Sequence, residues 1–251
     1  MADRSDLYLL KRNLYYLLRN EILFDEYNLS DFSFHENVIS DTAIRDEDNG
    51  QKYKLTYGNL IYHVAGLPVT VYRNGFPVEN LNYSINYKEG YILFNDGYAV
   101  NSAELISADY TRMLIKVVLA FNYEDVDKEE LPIIAIDVEN TIKTPVELGT
   151  TMTYKDRTAY FIIYARNEIE LDNITSLLEA KFDSGRETMV NYKLQEPLNE
   201  YGFINPLFSG QPSDDYELSI NHIETMTLYP ATPNEIDKYS AMVETVVSTF
   251  I

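Results

Sequence analysis

The chain has 251 residues, 45% of them hydrophobic, and its 40 acidic and 20 basic residues leave a formal charge of −20. That length and composition support a buried core, in one large domain or two modest ones, and argue against disorder. The charge speaks against a counterion-releasing grip on nucleic acid, which needs clustered Lys and Arg. The lack of any cysteine excludes disulfides, thiol catalysis and thiolate metal sites.

Tyr is the compositional outlier, with 22 residues against 11 Phe and no Trp. It packs its ring while keeping a hydroxyl wet and is enriched at interfaces; equally, it is a good strand former in a β-rich chain. The opening "MADRSDLYLL" mixes both charge signs and lacks the apolar core and cleavage site of a signal peptide. No apolar run approaches the roughly 18 residues a membrane helix needs. The expectation is a soluble protein made in a reducing compartment.

The spacing of Leu7, Leu10, Leu14, Leu17, Leu18 and Ile22 predicts a helix over roughly 6–23, with Ser5 placed to cap it. From Asp25 to about Gly58 the pattern degrades into isolated apolar pairs. Asp46, Glu47 and Asp48 before Asn49-Gly50 fail the EF-hand spacing and read as a solvated hairpin tip. From Val69 to Arg112 short alternating runs are cut by Asn74-Gly75, Glu89-Gly90 and Asp96-Gly97. Tyr83, Ile85 and Tyr87 alternate strictly, then Ile92 and Phe94, and a further strand begins at Leu105. Period two with Gly-bearing turns is the pattern of a small antiparallel sandwich.

After the acidic loop "NYEDVDKEELP" the chain changes character. "IIAIDVE" and "TAYFIIYAR" read as strands, and "NEIELDNITSLLEAKFDSG" as a helix. Asp172 is its expected cap, Ile174, Leu177, Leu178 and Phe182 its stripe, and Gly185 its stop. "MVNYKL" and "YELSINHIETMTLY" are further strands, and "SAMVETVVSTFI" leans to a strand on its β-branched content. The fold class expected is α+β, with one conspicuous helix on a sheet.

The search for chemistry returns little. His35, His63 and His222 lie far apart, with no second His at ligand spacing, so no metal site is expected. No nucleophile elbow and no Gly-rich phosphate cradle occurs, and no cofactor is expected. The best strand-borne carboxylate pair is Asp137 and Glu139, two apart and on one face. A glycan hydrolase needs such a pair about 5–10 Å apart, although in so acidic a chain a solvated strand end explains it too.

Two stretches carry a resemblance. "VTVYRNGFPVENLNYSINYKEGYILFNDGYAVNSAELISADYTR" resembles a small β-module of tailed-bacteriophage virion proteins, through Val69–Gly75, Tyr83–Phe94 and Ala108–Thr111. "LPIIAIDVENTIKTPVELGTTMTYKDRTAYFIIYARNEIELDNITSLLEAKF" resembles the core of phage tail-terminator and neck (head–tail connector) proteins, through Pro132–Asp137, Ala159–Ala165 and Leu171–Phe182. The likeness spans about half the chain and lies in pattern; the chain is about twice the length of compact terminators.

The resemblance implies an N-terminal helix (1–26) packed on a terminator-like α+β domain (116–251), with a β-rich module (27–115) between them. It implies a non-enzymatic virion protein, a ring-forming and commonly hexameric subunit that caps the tail tube and joins it to the head. Expected partners are copies of itself, the tail tube, a sheath where the tail has one, and head-completion or connector proteins, with DNA passing through without specific binding. Other readings remain: a baseplate, collar or adaptor component, or a carboxylate-dependent glycan hydrolase. A closed ring needs head-to-tail contacts. The candidate arm for them lies between the two terminator-like strands, at Thr144, Val146, Leu148, Gly149, Thr150, Thr151, Thr153 and Tyr154, with an ordinary exposed loop as the alternative.

Overall fold

The computed structural model describes residues 2–23, 34–62, 69–119, 131–139, 142–145, 153–182, 186–190, 198, 201–204, 212–228 and 239–250. The architecture is mixed α+β with three sheets. The chain divides into two compact units. A β unit comprises Ser33–Leu114 with Gln195–Ser209; a mixed unit comprises Met1–Phe32, Ile115–Leu194 and Gly210–Ile251.

The β unit contains β1 (His35–Thr42), β2 (Ile44–Arg45), β3 (Lys52–Lys54), β4 (Thr70–Arg73), β5 (Phe76–Pro77), β6 (Tyr83–Asn86), β7 (Tyr91–Phe94) and β8 (Ile106–Met113). They form two four-stranded sheets, β1-β8-β4-β5 and β2-β3-β7-β6. Val71, Ile106, Ala108 and Tyr110 from one sheet share a core with Tyr53, Ile85, Ile92 and Phe94 from the other, so the sheets pack face to face. Asn74 (φ 51°) and Gly75 (φ 83°) make the two-residue turn between β4 and β5, both with the positive φ such a turn demands. Asp46 Oδ1 accepts the amides of Asp48 and Asn49, each at 3.0 Å, forming the tip between β2 and β3.

β1 lies in the stretch where no strand pattern was legible. It is an edge strand with mostly exposed residues, bulged between Val38 and Asp41, with Ser40 at φ 56°. The β unit also takes a segment from far along the chain. Tyr87 N donates to Gly202 O at 3.0 Å, Phe203 bridges Asn86, and the Phe203 ring meets Tyr91 edge-on at 5.7 Å. Residues 201–204 thereby bridge the end of β6 at Asn86.

The mixed unit contains α1 (Ala2–Tyr16), which runs into a π-helical turn (Leu17–Ile22), then β9 (Lys116–Leu119), β10 (Ile133–Val138), β11 (Ile142–Pro145), β12 (Thr153–Tyr164), α2 (Glu168–Phe182), β13 (Arg186–Val190), β14 (Pro212–Thr227) and β15 (Ser240–Phe250). α1 starts at Ala2, so Ser5 lies inside the helix and does not cap it. Leu10, Leu14, Leu17, Leu18 and Ile22 of the predicted stripe are buried.

α2 likewise starts earlier than its leucine stripe indicated. Asn167 is the cap in place of Asp172: its Oδ1 accepts the Glu170 amide at 2.9 Å, and Glu170 Oε2 accepts the Arg166 amide at 2.7 Å. The pattern is a variant of the capping box, in which Glu170 reaches back one residue past the cap to the Arg166 amide. Leu171, Ile174, Leu177, Leu178 and Phe182 are buried, and the Phe182 ring lies 4.8 Å from that of Phe161 on β12.

The seven-stranded sheet has the order β13-β14-β15-β12-β10-β9, with β11 also pairing β12. β9 and β10 are parallel, and the other pairings are antiparallel. α1 lies over β9 and β10, while α2 lies over β12, β14 and β15 and also touches the π-helical turn. Helices on opposite faces would be held two layer spacings apart, so α1 and α2 share one face. Ala159, Phe161 and Ile163 of β12, with Ala241, Val243 and Val247 of β15, point into that covered face and are buried.

Candidate assembly surface

The alternation that sends those residues under the helices sends their neighbours to the opposite face of the sheet. Register defines its rows. Asp137 lies opposite Tyr160, Tyr160 opposite Glu244, and Glu244 opposite Glu224. One row further along, Ala135, Ile162, Met242 and Met226 stand in line across the same four strands. An acidic row thus runs beside an apolar one, on a face that no described helix covers.

Charge on this face leaves a physical trace. The Tyr160 phenol is pushed above its ordinary value by partial desolvation and by the carboxylates of Glu139, Glu244 and Asp137 around it. Burial pushes the Asp137 carboxyl up, but the Lys11 ammonium at 2.7 Å and the Val138 amide at 2.9 Å outweigh it and hold it below the usual range. The pairing of β9 with β10 ends one residue short of Asp137, with Leu119 opposite Ile136, and Lys11 meets Asp137 at that point. Asp137 and Glu139, the pair weighed for hydrolysis, both lie by Tyr160, and Asp137 is in addition ion-paired to Lys11 of α1.

The predicted arm falls on β11 and the first part of β12. Thr144 pairs with Tyr154, and Thr153 with Pro145. Val146, Leu148, Gly149, Thr150 and Thr151 lie outside the described residues. β10 and β11 pair the same strand, with Val138 opposite Ala159 and Ile142 opposite Asp156. Together they form one long hairpin with β12, which β15 follows on its other side as far as Tyr154 opposite Phe250. The base of the arm is thus sheet.

His35 opens β1, His222 stands opposite Val246 in the mixed sheet, and His63 lies outside the described residues. Among the described residues no group of three or more His, Asp or Glu is placed to hold a metal ion, and no helix is long and apolar enough to cross a membrane.

One surface that sequence reasoning missed is the outer edge of β14. Among the described residues β13 pairs β14 as far as Arg186 opposite Ser219, whereas β14 runs on to Thr227. Leu228 N donates to Ser240 O at 3.0 Å, which fixes the ladder phase. Residues 222, 224 and 226 bond β15, so Ile223, Thr225 and Thr227 turn their backbone groups outward. The alternation in "NHIETMT" signals a strand, but nothing in it says where its neighbour stops.

Comparison of the chain with protein-family models, with curated proteins and with solved structures gave no match.

Proposed function

We propose that this chain is a non-enzymatic structural subunit of a tailed-bacteriophage virion, a tail terminator or neck protein that assembles into a ring, hexameric in the commonest arrangement, caps the tail tube and joins it to the head. The observation that carries this reading is the one-sided build of the mixed unit. Both helices lie on one face of the seven-stranded sheet, and the other face presents the row Asp137, Tyr160, Glu244 and Glu224. We assign that face to the ring opening, where carboxylates repel DNA and let it slide. The sequence resemblance and the hairpin of β10, β11 and β12 add support.

Of the pair weighed for hydrolysis, Asp137 has its carboxyl held down beside Lys11, whereas a glycosidase acid needs its pKa raised. The deciding experiment is mass photometry and negative-stain electron microscopy of the purified chain, with and without tail tubes. A closed ring is expected; a strictly monomeric species at virion-like concentrations, with or without tubes, overturns the reading.

A second reading is a baseplate, collar or adaptor component. It is favoured by apolar side chains that the β unit leaves at its surface: Ile44 (72% exposed), Phe76 (76%) and Leu81 (85%). Gold labelling of the subunit on intact particles separates the two, since only a terminator labels the head-proximal end of the tail.

A further inference from the structure

Several described sheet edges are blunted. β1 is interrupted by a bulge, β5 has two residues and includes Pro77, and β6 is bridged at Asn86 by residues 201–204. These are ordinary ways of blocking edge-to-edge pairing. From Ile223 to Thr227, β14 carries no proline, no lysine and no bulge, and its outward backbone groups at Ile223, Thr225 and Thr227 have no strand partner among the described residues. An open edge of that length holds one short added strand through main-chain hydrogen bonds.

We infer that the Ile223–Thr227 edge of β14 takes up an extended basic segment of a partner protein as an additional strand. Charge decides the occupant. On the uncovered face the edge presents Glu224, with Glu244 directly behind it. On the helix-covered face Thr225 Oγ1 donates to Glu179 of α2. An incoming strand meets carboxylates on both of its faces, so Lys or Arg opposite Glu224, next to an apolar residue opposite Met226, is the complementary pattern. A second copy of β14 would set Glu224 and Glu179 against their own duplicates in a chain of net charge −20, which disfavours self-pairing. The inference stands apart from the ring reading, since a ring closed through other surfaces leaves this edge free for a partner.

The chain's lack of cysteine allows a clean test. A full-length Thr227→Cys variant is mixed with a synthetic peptide of alternating Lys and Val that ends in an activated disulfide, and the rate of mixed-disulfide formation is followed by mass spectrometry. Two peptides of identical sequence and charge are compared, one N-methylated along the pairing edge and one along the outer edge. The outer-methylated peptide is expected to react at least about tenfold faster. Thr225→Pro in the Thr227→Cys background removes an outward N–H that the fold does not use and is expected to abolish the difference, with an unchanged circular dichroism spectrum. Equal rates for both peptides overturn the inference by showing charge attraction without strand addition. Disulfide-linked dimers of Thr227→Cys outcompeting the peptide overturn it too, by making a second copy the occupant. Either result leaves the ring experiment to be judged on its own readout.

Discussion

Lys11 Nζ lies 2.7 Å from Asp137 Oδ1, an ion pair between α1 and β10 across 126 positions of sequence. The side chains are 20% and 55% exposed, so solvent screens the pair and its worth is below about 1 kcal/mol. Lys11→Met is expected to lower Tm at pH 7 by no more than about 3 °C. Because the Asp137 pKa is depressed in the fold, its contribution is complete above the reference value of 3.8 and disappears as pH falls through the folded value. Thermal melts of wild type and Lys11→Met should therefore converge by about pH 2; a gap that persists there would contradict the assignment.

Asn167→Ala removes the acceptor for the Glu170 amide and is expected to cost about 1 kcal/mol, read as a lower urea midpoint. Asn167→Asp keeps the acceptor and should stay within about 0.5 kcal/mol of wild type. Asp172→Ala, at the cap position that the leucine stripe indicated, should change little. Equal losses for the Asn167 and Asp172 alanine variants would reject the observed start of α2.

Gly90 combines φ 69° with the closest backbone approach in the β unit, since a Cβ there would stand 1.9 Å from Tyr57 O and 2.9 Å from Gly58 Cα. Both neighbours are main chain and cannot swing away. Gly90→Ala is expected to destabilise by at least about 3 kcal/mol, visible in near-ultraviolet circular dichroism against urea. A variant within about 0.5 kcal/mol of wild type would mean that the Glu89-Gly90 turn is shaped differently.

Alkaline pH should unfold the β unit through its tyrosines. Burial pushes Tyr87 up to about 12, with the charge of Tyr83 adding to it. Burial also raises Tyr83 and Tyr110, the latter with help from its bond to Asp41. A phenol raised in the fold lends stability that is whole below the unfolded value of 10.0 and is lost as pH climbs through the folded value. Tyrosinate absorbance and far-ultraviolet circular dichroism should change together between about pH 10 and 12. Tyr87→Phe should move that transition to higher pH; a transition unmoved by it would detach Tyr87 from the effect.

Much of the fold was legible because local pattern and burial agreed. The Asn74-Gly75 turn, the alternation through Tyr83 and Ile85, and the leucine stripes of both helices each record which side of an element faces the core. β1 was not legible: as a bulged edge strand from His35 to Thr42 it buries little, so hydrophobic alternation never forms. The cap of α2 was misplaced because the apolar stripe starts after the helix does, and Asn167 with Glu170 was the better signal. For the candidate surfaces, sequence could place Asp137 and Glu139 on one strand. It could not align Asp137 with Tyr160, Glu244 and Glu224, since strand order is a property of the assembled sheet. The open edge of β14 is similarly invisible, because it depends on where β13 stops.

The return of residues 201–204 to β6 imposes an order on biosynthesis. When Leu114 leaves the ribosome, every named strand of the β unit has been made, yet β6 still lacks its cover. That cover arrives only after β9, β10, β11, β12, α2 and β13 have also emerged. During that interval the nascent chain carries β6 as a bare edge strand, exposed to wrong pairing until residues 201–204 have been made.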